Sequence, residues 1–266
     1  MILEIQYTNE IVKSSVGILV PVDNYYRTFR ARNNHEVLFR KIAGTLIKGE
    51  YIPATSSIID SGAWIGDNSI PWGSVFSGDV IAIDPSPGNC NYIRELAILN
   101  SLDNVKVAES ALSDRKGIIS TEHDLYHATF SADQGGRNKV ACDSLDNFWT
   151  DGLFEDVGFI HLDVEGMEWH AIQGSVDLIE TYRPIIAFEQ HLLSDNYTEL
   201  SMFLEGMGYE VFMINETLPG NNPDCRNFLA VFADSSEEIV NYVAVELKVK
   251  KPLINWKKIG KNGFLS

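Results

Sequence analysis

The sequence predicts a doubly wound, Rossmann-like α/β fold, with a mostly parallel seven-stranded sheet that ends in a C-terminal antiparallel hairpin. Three observations predict it. From residue 57 onward short apolar runs alternate with helical patterns, and that alternation builds a parallel sheet covered on both faces. Gly62 and Gly66 form a glycine turn directly after the first of these runs, where an open α/β sheet holds its ligand. Residues 215–227, between the last two strands, lack a helical period, so those strands form an antiparallel pair and not a crossover.

The elements follow in order. Leu3, Ile5 and Tyr7, then Val16, Ile18 and Val20, alternate with other residues and predict strands or a hairpin ahead of the main fold. Residues 33–48 read as a helix with Val37, Leu38, Ile42 and Leu46 on one side. Strands are expected at 57–60, 80–84, 105–108, 159–163, 185–189, 211–214 and 228–232. Ser86-Pro87 is an N-cap followed by proline at the first helical position, ahead of the stripe Ile93, Leu96 and Ala97. One helix is expected after Gly166, carrying Ile172, Val176 and Ile179, and another, carrying Leu200, Phe203, Leu204 and Met207, stops at Gly208. Three regions result: N-terminal strands and helix (1–50) packed on the core, the main domain (51–234), and a basic C-terminal extension (235–266).

Charge limits the partners. The net charge is −16, and residues 239–266 carry six lysines against Glu246, a local +5 that leaves −21 on the rest. Nucleic-acid binding depends on cationic neutralisation of phosphates, so such a partner is not expected. The tail reads as a solvated extension packed through Val243, Val245 and Trp256; contact with a membrane surface or acidic partner is the alternative. No apolar stretch is long enough for a transmembrane span. Glu4, Glu10 and Lys13 break up the N-terminus, which does not read as a signal peptide. Cys90, Cys142 and Cys225 are scattered without metal-ligand spacing, which suits isolated thiols in the cytoplasm.

The glycine turn carries the cofactor reading. Ile58-Ile59-Asp60-Ser61-Gly62-Ala63-Trp64-Ile65-Gly66 runs from strand into turn. Gly62 permits a tight turn and close backbone approach, and Gly66 permits close packing. Asp84, with Pro85 beside it, ends the neighbouring strand, where an acid accepts hydrogen bonds from ribose hydroxyls. A dinucleotide site needs G-x-G-x-x-G to hold a pyrophosphate; here the spacing is D-x-G-x-x-x-G, with Asp60 close by. A carboxylate suits the cationic aminoacyl end of S-adenosylmethionine better than a pyrophosphate, so that cofactor is favoured over NAD. The loop Glu109-Ser110-Ala111-Leu112-Ser113-Asp114 borders the adenine in such a fold, with Glu109 or Ser110 as contacts.

Together these motifs resemble the FkbM family of S-adenosylmethionine-dependent methyltransferases, of class I fold, which mostly act on hydroxyl oxygens of sugars and secondary metabolites. The carrying residues are Ile59 to Gly66, Ile83-Asp84-Pro85-Ser86-Pro87 and Ala111-Leu112-Ser113-Asp114. The most specific is Ile160-His161-Leu162-Asp163-Val164-Glu165-Gly166-Met167-Glu168, followed by Gln173-Gly174 and Arg183-Pro184-Ile185-Ile186-Ala187-Phe188-Glu189. The match runs over about residues 33–233. The family usually has lysine at His161, glutamate at Asp84 and a small or polar residue at Trp64. The resemblance implies O-methylation of a sugar, glycan or small hydroxylated metabolite.

Methyl transfer places an acceptor oxygen in line with a sulfonium methyl, and a hydroxyl needs a base or a metal to assist its deprotonation. Asp163, His161 and Glu189 are the catalytic candidates, as base and as orienting groups at two adjacent strand ends. Asp60, Gly62, Ala63, Gly66, Asp84, Pro85, Ser110, Ala111 and Asp163 are the cofactor candidates. Glu165, His191, His127 and Tyr126 are the acceptor candidates, the last two from the irregular segment 122–137. No metal is required; a divalent cation on Asp163 and Glu189 is the weaker alternative. The competing readings are an NAD-linked oxidoreductase and a non-catalytic S-adenosylmethionine-binding module.

Overall fold

The computed structural model describes residues 10–14, 16–23, 25, 36–121, 138–192, 197–216 and 225–259. The strands are β1 (Ile11–Lys13), β2 (Leu19–Pro21), β3 (Ser57–Ser61), β4 (Val80–Asp84), β5 (Val105–Glu109), β6 (Ala111–Leu112), β7 (Gly117–Thr121), β8 (Asn138–Asp143), β9 (Val157–Leu162), β10 (Ile185–His191), β11 (Tyr209–Ile214), β12 (Cys225–Phe232) and β13 (Leu253–Asn255). The helices are α1 (Val37–Lys48), α2 (Ser69–Gly73), α3 (Pro87–Leu99), α4 (Leu145–Thr150), α5 (Glu168–Gln173), α6 (Val176–Tyr182), α7 (Tyr197–Gly206) and α8 (Ala233–Leu247).

The main sheet has the order β13-β11-β12-β10-β9-β3-β4-β5. From β10 to β5 the pairs are parallel, and β12 runs antiparallel between β10 and β11. All seven strands expected from the sequence are present, and β11 and β12 form the expected antiparallel pair. The eighth, β13, comes from the C-terminal extension and pairs antiparallel with β11. Alternate strand residues face opposite ways, and both faces are buried. Ile59, Ile160, Phe188 and Met213 meet the α4–α7 side, while Ile58, Phe159, Ala187 and Phe212 meet α1 and α8. Helix α3 packs through Ile93 and Leu96 near Ile65 and Ala82.

Local differences have physical reasons. The helix expected after Gly166 is two helices, α5 and α6. Gly174 breaks it: a β-carbon there would lie 2.2 Å from the Ser113 carbonyl oxygen, so the chain passes β6 too closely for a side chain. The Asp146 carboxylate then accepts hydrogen bonds from the N–H groups of Asp177 and Leu178 and starts α6. Arg183 ends α6 in the left-handed conformation (φ 51°) with its guanidinium over the Phe232 ring, and Pro184 leads into β10. The N-terminal hairpin is β1–β2, with Ile18 and Val20 buried and Val16 exposed; Leu3, Ile5 and Tyr7 lie outside the described residues. In the extension Val243 is buried and Trp256 donates to Glu205 at 2.9 Å, but Val245 is 70% exposed and packs nothing. A small sheet, β6-β8-β7, was not foreseen.

Helix α1 lacks a cap of its own. Glu36, at the N-cap position, is left-handed (φ 48°) and gives no side-chain cap. Glu216, beyond β11, accepts from the N–H of Leu38 at 2.8 Å and of Phe39 at 2.9 Å. A carboxylate on orphan N–H groups also meets the positive end of the helix dipole. Glu216→Ala is expected to lower stability by about 1–2 kcal/mol in urea denaturation, with Glu216→Gln losing less; no change in either would show that the helix start does not depend on this contact.

Candidate active site

The ends of neighbouring strands build the site. After β3 the chain turns through Gly62 (φ 74°), Trp64 (φ 47°) and Gly66 (φ 79°). The N–H groups of Gly62 and Ala63 both donate to the Ile83 carbonyl, at 2.9 and 3.1 Å. A β-carbon on Gly62 would sit 1.7 Å from the carbonyl oxygen of Asp163, so only glycine fits. That carbonyl belongs to the loop after β9, and the Asp163 N–H donates to Ser61 O at 3.0 Å.

At the end of β4 the Asp84 carboxylate accepts from Trp64 N–H (2.9 Å) on one oxygen, and from Ser86 N–H (2.8 Å) and the Asn89 amide (3.0 Å) on the other. Burial raises its pKa to about 6, against the lowering effect of these donors. Ser110 donates its N–H to Asp84 O and its hydroxyl to Ala111 O, and both residues are buried. Glu109 is exposed, opposite Asp84 in register. Pro85 carries the chain from Asp84 to the Ser86 cap of α3.

Asp60 is buried inside the sheet. One oxygen lies 2.8 Å from His161 Nδ1 across the β3–β9 pair, and the other accepts from the Ser69 hydroxyl. His161 stacks on Phe39, with ring centroids 4.8 Å apart, and Trp72 meets it edge-on. Burial opposes its protonation, but the hydrogen bond and charge of Asp60, with Asp163 and Glu36 behind, outweigh burial and raise its pKa. Asp60 and His161 are thus brought together with each other, and Glu189 is not His161's partner.

Glu189, near the end of β10, is hydrogen-bonded to Asp163 and also accepts from the Cys225 thiol. Burial raises the pKa of both carboxyls, most strongly that of Glu189; the charges of Glu36 and Glu165 add to it at Asp163, whose bond to Glu189 acts the other way, and the charges of Asp163 and Glu36 add to it at Glu189. Two neighbouring acids in a desolvated site favour the state in which one of them keeps a proton. Glu36 accepts from Asn227 and lies 3.9 Å from Arg40, which is bonded to Asp67 at 2.7 Å.

Beside this pair opens a cleft of about 310 Å³ whose lining includes Glu165, Glu168, Trp169, Glu189, His191 and Glu199. Two acceptor candidates from the sequence, Glu165 and His191, line it; Tyr126 and His127 lie outside the described residues. Glu165 (φ 53°) and Gly166 (φ 99°) form a left-handed turn, and Glu168 braces it by accepting from Val164 N–H (3.2 Å) and Gly166 N–H (3.4 Å). Sequence reasoning missed Glu36, Trp169 and Cys225. Glu36 and Cys225 are more than a hundred residues from one another in the chain, and only the pairing of β10 with β12 and the position of α1 bring them to this end of the sheet.

This fold is that of the class I methyltransferases, whose cofactor is S-adenosylmethionine. The family model described as methyltransferase FkbM domain matches residues 60–211, more than half of the chain, and the chain belongs to the FkbM methyltransferase family. The solved methyltransferase FkbM from Methylobacillus flagellatus KT is similar in fold, with a TM-score of 0.50 and 16% identity over 66% of this chain. The match spans only 44% of that protein. More distant in shape are the O-methyltransferase from Bacillus cereus in complex with SAH (TM-score 0.49, 12% identity, 77% of this chain and 88% of that one) and M. jannaschii TYW2 in complex with AdoMet (0.43, 16%, 83% of each). No curated protein matches the sequence significantly. Among the described residues no helix is long and apolar enough to cross a membrane.

Two predictions follow from the loop geometry. Gly62→Ala adds a left-handed strain and a backbone collision; it is expected to destabilise the fold by at least about 3 kcal/mol and to abolish S-adenosylhomocysteine binding in calorimetry, and a variant that binds normally would refute the contact. Glu168 is 6% exposed and burial raises its pKa from 4.5 to about 7. Its favourable contribution is therefore complete below about pH 4.5 and is lost as pH rises through about 7. Glu168→Gln keeps the acceptor oxygen without the charge, so its stability relative to the parent is expected to rise by on the order of 2–3 kcal/mol from pH 4.5 to 8; a difference independent of pH would contradict the buried charge.

Proposed function

We propose that this protein transfers the methyl group of S-adenosylmethionine to a hydroxyl oxygen of a sugar, glycan or small hydroxylated metabolite. The single observation that carries the reading is the hydrogen-bonded Asp163–Glu189 pair at the edge of an open cleft whose lining mixes carboxylates with Trp169. Aromatic faces and carboxylates are what a polyhydroxylated ring needs, for stacking and for accepting its hydroxyl protons.

The residues present fit the cofactor. Carboxylates whose pKa is raised by burial and by neighbouring acids are stabilised by a neighbouring cation, and S-adenosylmethionine is cationic at both its sulfonium and its amino group. The Gly62 turn, with Ala63 and the packing of Gly66 against Ile70 and Ile93, would present backbone to it. Asp84 would face the ribose, with Pro85, Ser110 and Ala111 forming the adjoining wall. Asp60 would act one step removed, by holding His161 and Ser69 in place. When bound, the cofactor supplies an electrophilic methyl group.

The chain's own residues would do the remainder. Glu165, Trp169 and Glu199 would position the acceptor, with His191 at the mouth of the cleft. Asp163 would take the acceptor's hydroxyl proton, and the hydrogen bond from Glu189 would hold its carboxylate in place. His161, fixed by Asp60, would supply positive charge behind Asp163. The three cysteines, none in a disulfide, suit a reducing compartment such as the cytoplasm.

The test is release of S-adenosylhomocysteine against a panel of monosaccharides, glycosides and amines. Turnover is expected with a hydroxylated acceptor, and Asp163→Asn is expected to lower kcat by about 10²–10⁴-fold while S-adenosylhomocysteine still binds. Turnover with amines alone, or full activity in the variant, would overturn the reading.

A further inference from the structure

Glu189 has a second set of neighbours that methyl transfer does not use. In the antiparallel pair of β10 with β12, His191 stands opposite Cys225 and Glu189 opposite Asn227. Glu189 and His191 are two residues apart and so project from the same face of β10, and the residue directly across a strand pair is the nearest cross-strand neighbour. One donor atom from each of Glu189, His191 and Cys225 lies within 4.8 Å of the other two.

We propose that Glu189, His191 and Cys225 form a binding site for a borderline divalent metal ion, Zn²⁺ by its chemistry. Tetrahedral zinc with Zn–N, Zn–O and Zn–S bonds of about 2.0–2.3 Å holds its ligand atoms roughly 3.5 Å apart. To bind the ion the three donor atoms would have to adjust from their present separation, within 4.8 Å, to that figure. The donors are one thiolate, one imidazole and one carboxylate. Magnesium and calcium take oxygen ligands, whereas a sulfur and a nitrogen donor select zinc or a similar first-row ion. Binding would displace the thiol proton of Cys225 and any proton on Glu189 to solvent. The two anionic ligands then neutralise the ion's double charge.

Three protein ligands leave the fourth tetrahedral position open, as in catalytic zinc sites. Cys225 is buried, but His191 is exposed and lines the cleft with Glu189. The ion would therefore enter from the cleft, and its open position would face the same space. This consequence, unlike the binding itself, rests on the hydroxyl-acceptor reading: there a Lewis acid would lower the acceptor's pKa next to Asp163.

The probe is Co²⁺, which reports its ligands by absorption, titrated into the full chain after chelator treatment and dialysis. About one ion per chain is expected, with a thiolate-to-cobalt charge-transfer band and tetrahedral visible bands that Zn²⁺ displaces. Cys225→Ser should remove the charge-transfer band, and Cys142→Ser should keep it. His191→Ala, at an exposed position, should weaken binding at least about a hundredfold while the metal-free protein melts as the parent does. Absence of the band, its survival in Cys225→Ser, or unchanged affinity in His191→Ala would overturn the site. Neither cofactor nor acceptor is present in this titration, so its failure and a failure of methyl transfer are separate results.

Discussion

The carbonyl oxygen of Asp163 occupies the space that a β-carbon on Gly62 would need, 1.7 Å from its ideal position, and this contact locks the loop after β3 onto the loop after β9. The approach is backed by the Asp163 N–H bond to Ser61 and by the Asp60–His161 bond one residue deeper in the same strand pair. Because the two loops are held backbone to backbone, neither can shift without the other. The glycine turn, the Asp84 carboxylate bonded to Trp64, and the Asp163–Glu189 pair thus form one rigid unit at the carboxyl ends of the strands. A site that must hold a donor and an acceptor in line needs such rigidity more than flexibility.

Carboxylates serve this chain in two ways, which helps to explain an acidic composition in a protein that binds no obvious counter-charge of its own. Some act as remote caps. Glu216 closes the start of α1, Asp146 that of α6, and Glu168 the turn at Gly166, each by accepting main-chain N–H groups. At Glu216 and Asp146 orphan N–H groups and the helix dipole both favour the acid, whereas burial makes the charge of Glu168 costly. Asp163 and Glu189 are different: they accept little from the main chain and repel each other in a desolvated place.

Much of the fold was legible because it depends on local rules. Short apolar runs between helical patterns located all seven core strands, and Ser86-Pro87 marked the start of α3, where the Ser86 hydroxyl accepts from Asn89. Strand ends were the legible part of the candidate site: the Gly62 turn meets Asp163, Asp163 meets Glu189, and Glu165 and His191 line the cleft with Glu189. What was not legible depends on pairing across distance. Val245 has the apolar character of a packed residue but falls on the solvent side of α8, and β13 is too short to show a period. His161 belongs to Asp60 because β3 and β9 pair in one particular register, and Cys225 reaches Glu189 only through the register of β10 and β12. The helix after Gly166 breaks at Gly174 because of a neighbour, Ser113, far away in sequence.

The two uses of carboxylate have opposite energetic signs. A cap stabilises the protein whether or not a ligand is bound, whereas two buried acids held together raise the energy of the ligand-free fold unless they keep a proton. Such a pair persists where function requires it. A cation brought next to it would offset the repulsion, so in the proposed reaction the binding of a positively charged cofactor and the preparation of a base would be one electrostatic event. The backbone contact that fixes the Gly62 turn is made by Asp163 itself, so in the proposed reaction the base and the turn that would receive the cation would be held together by one contact.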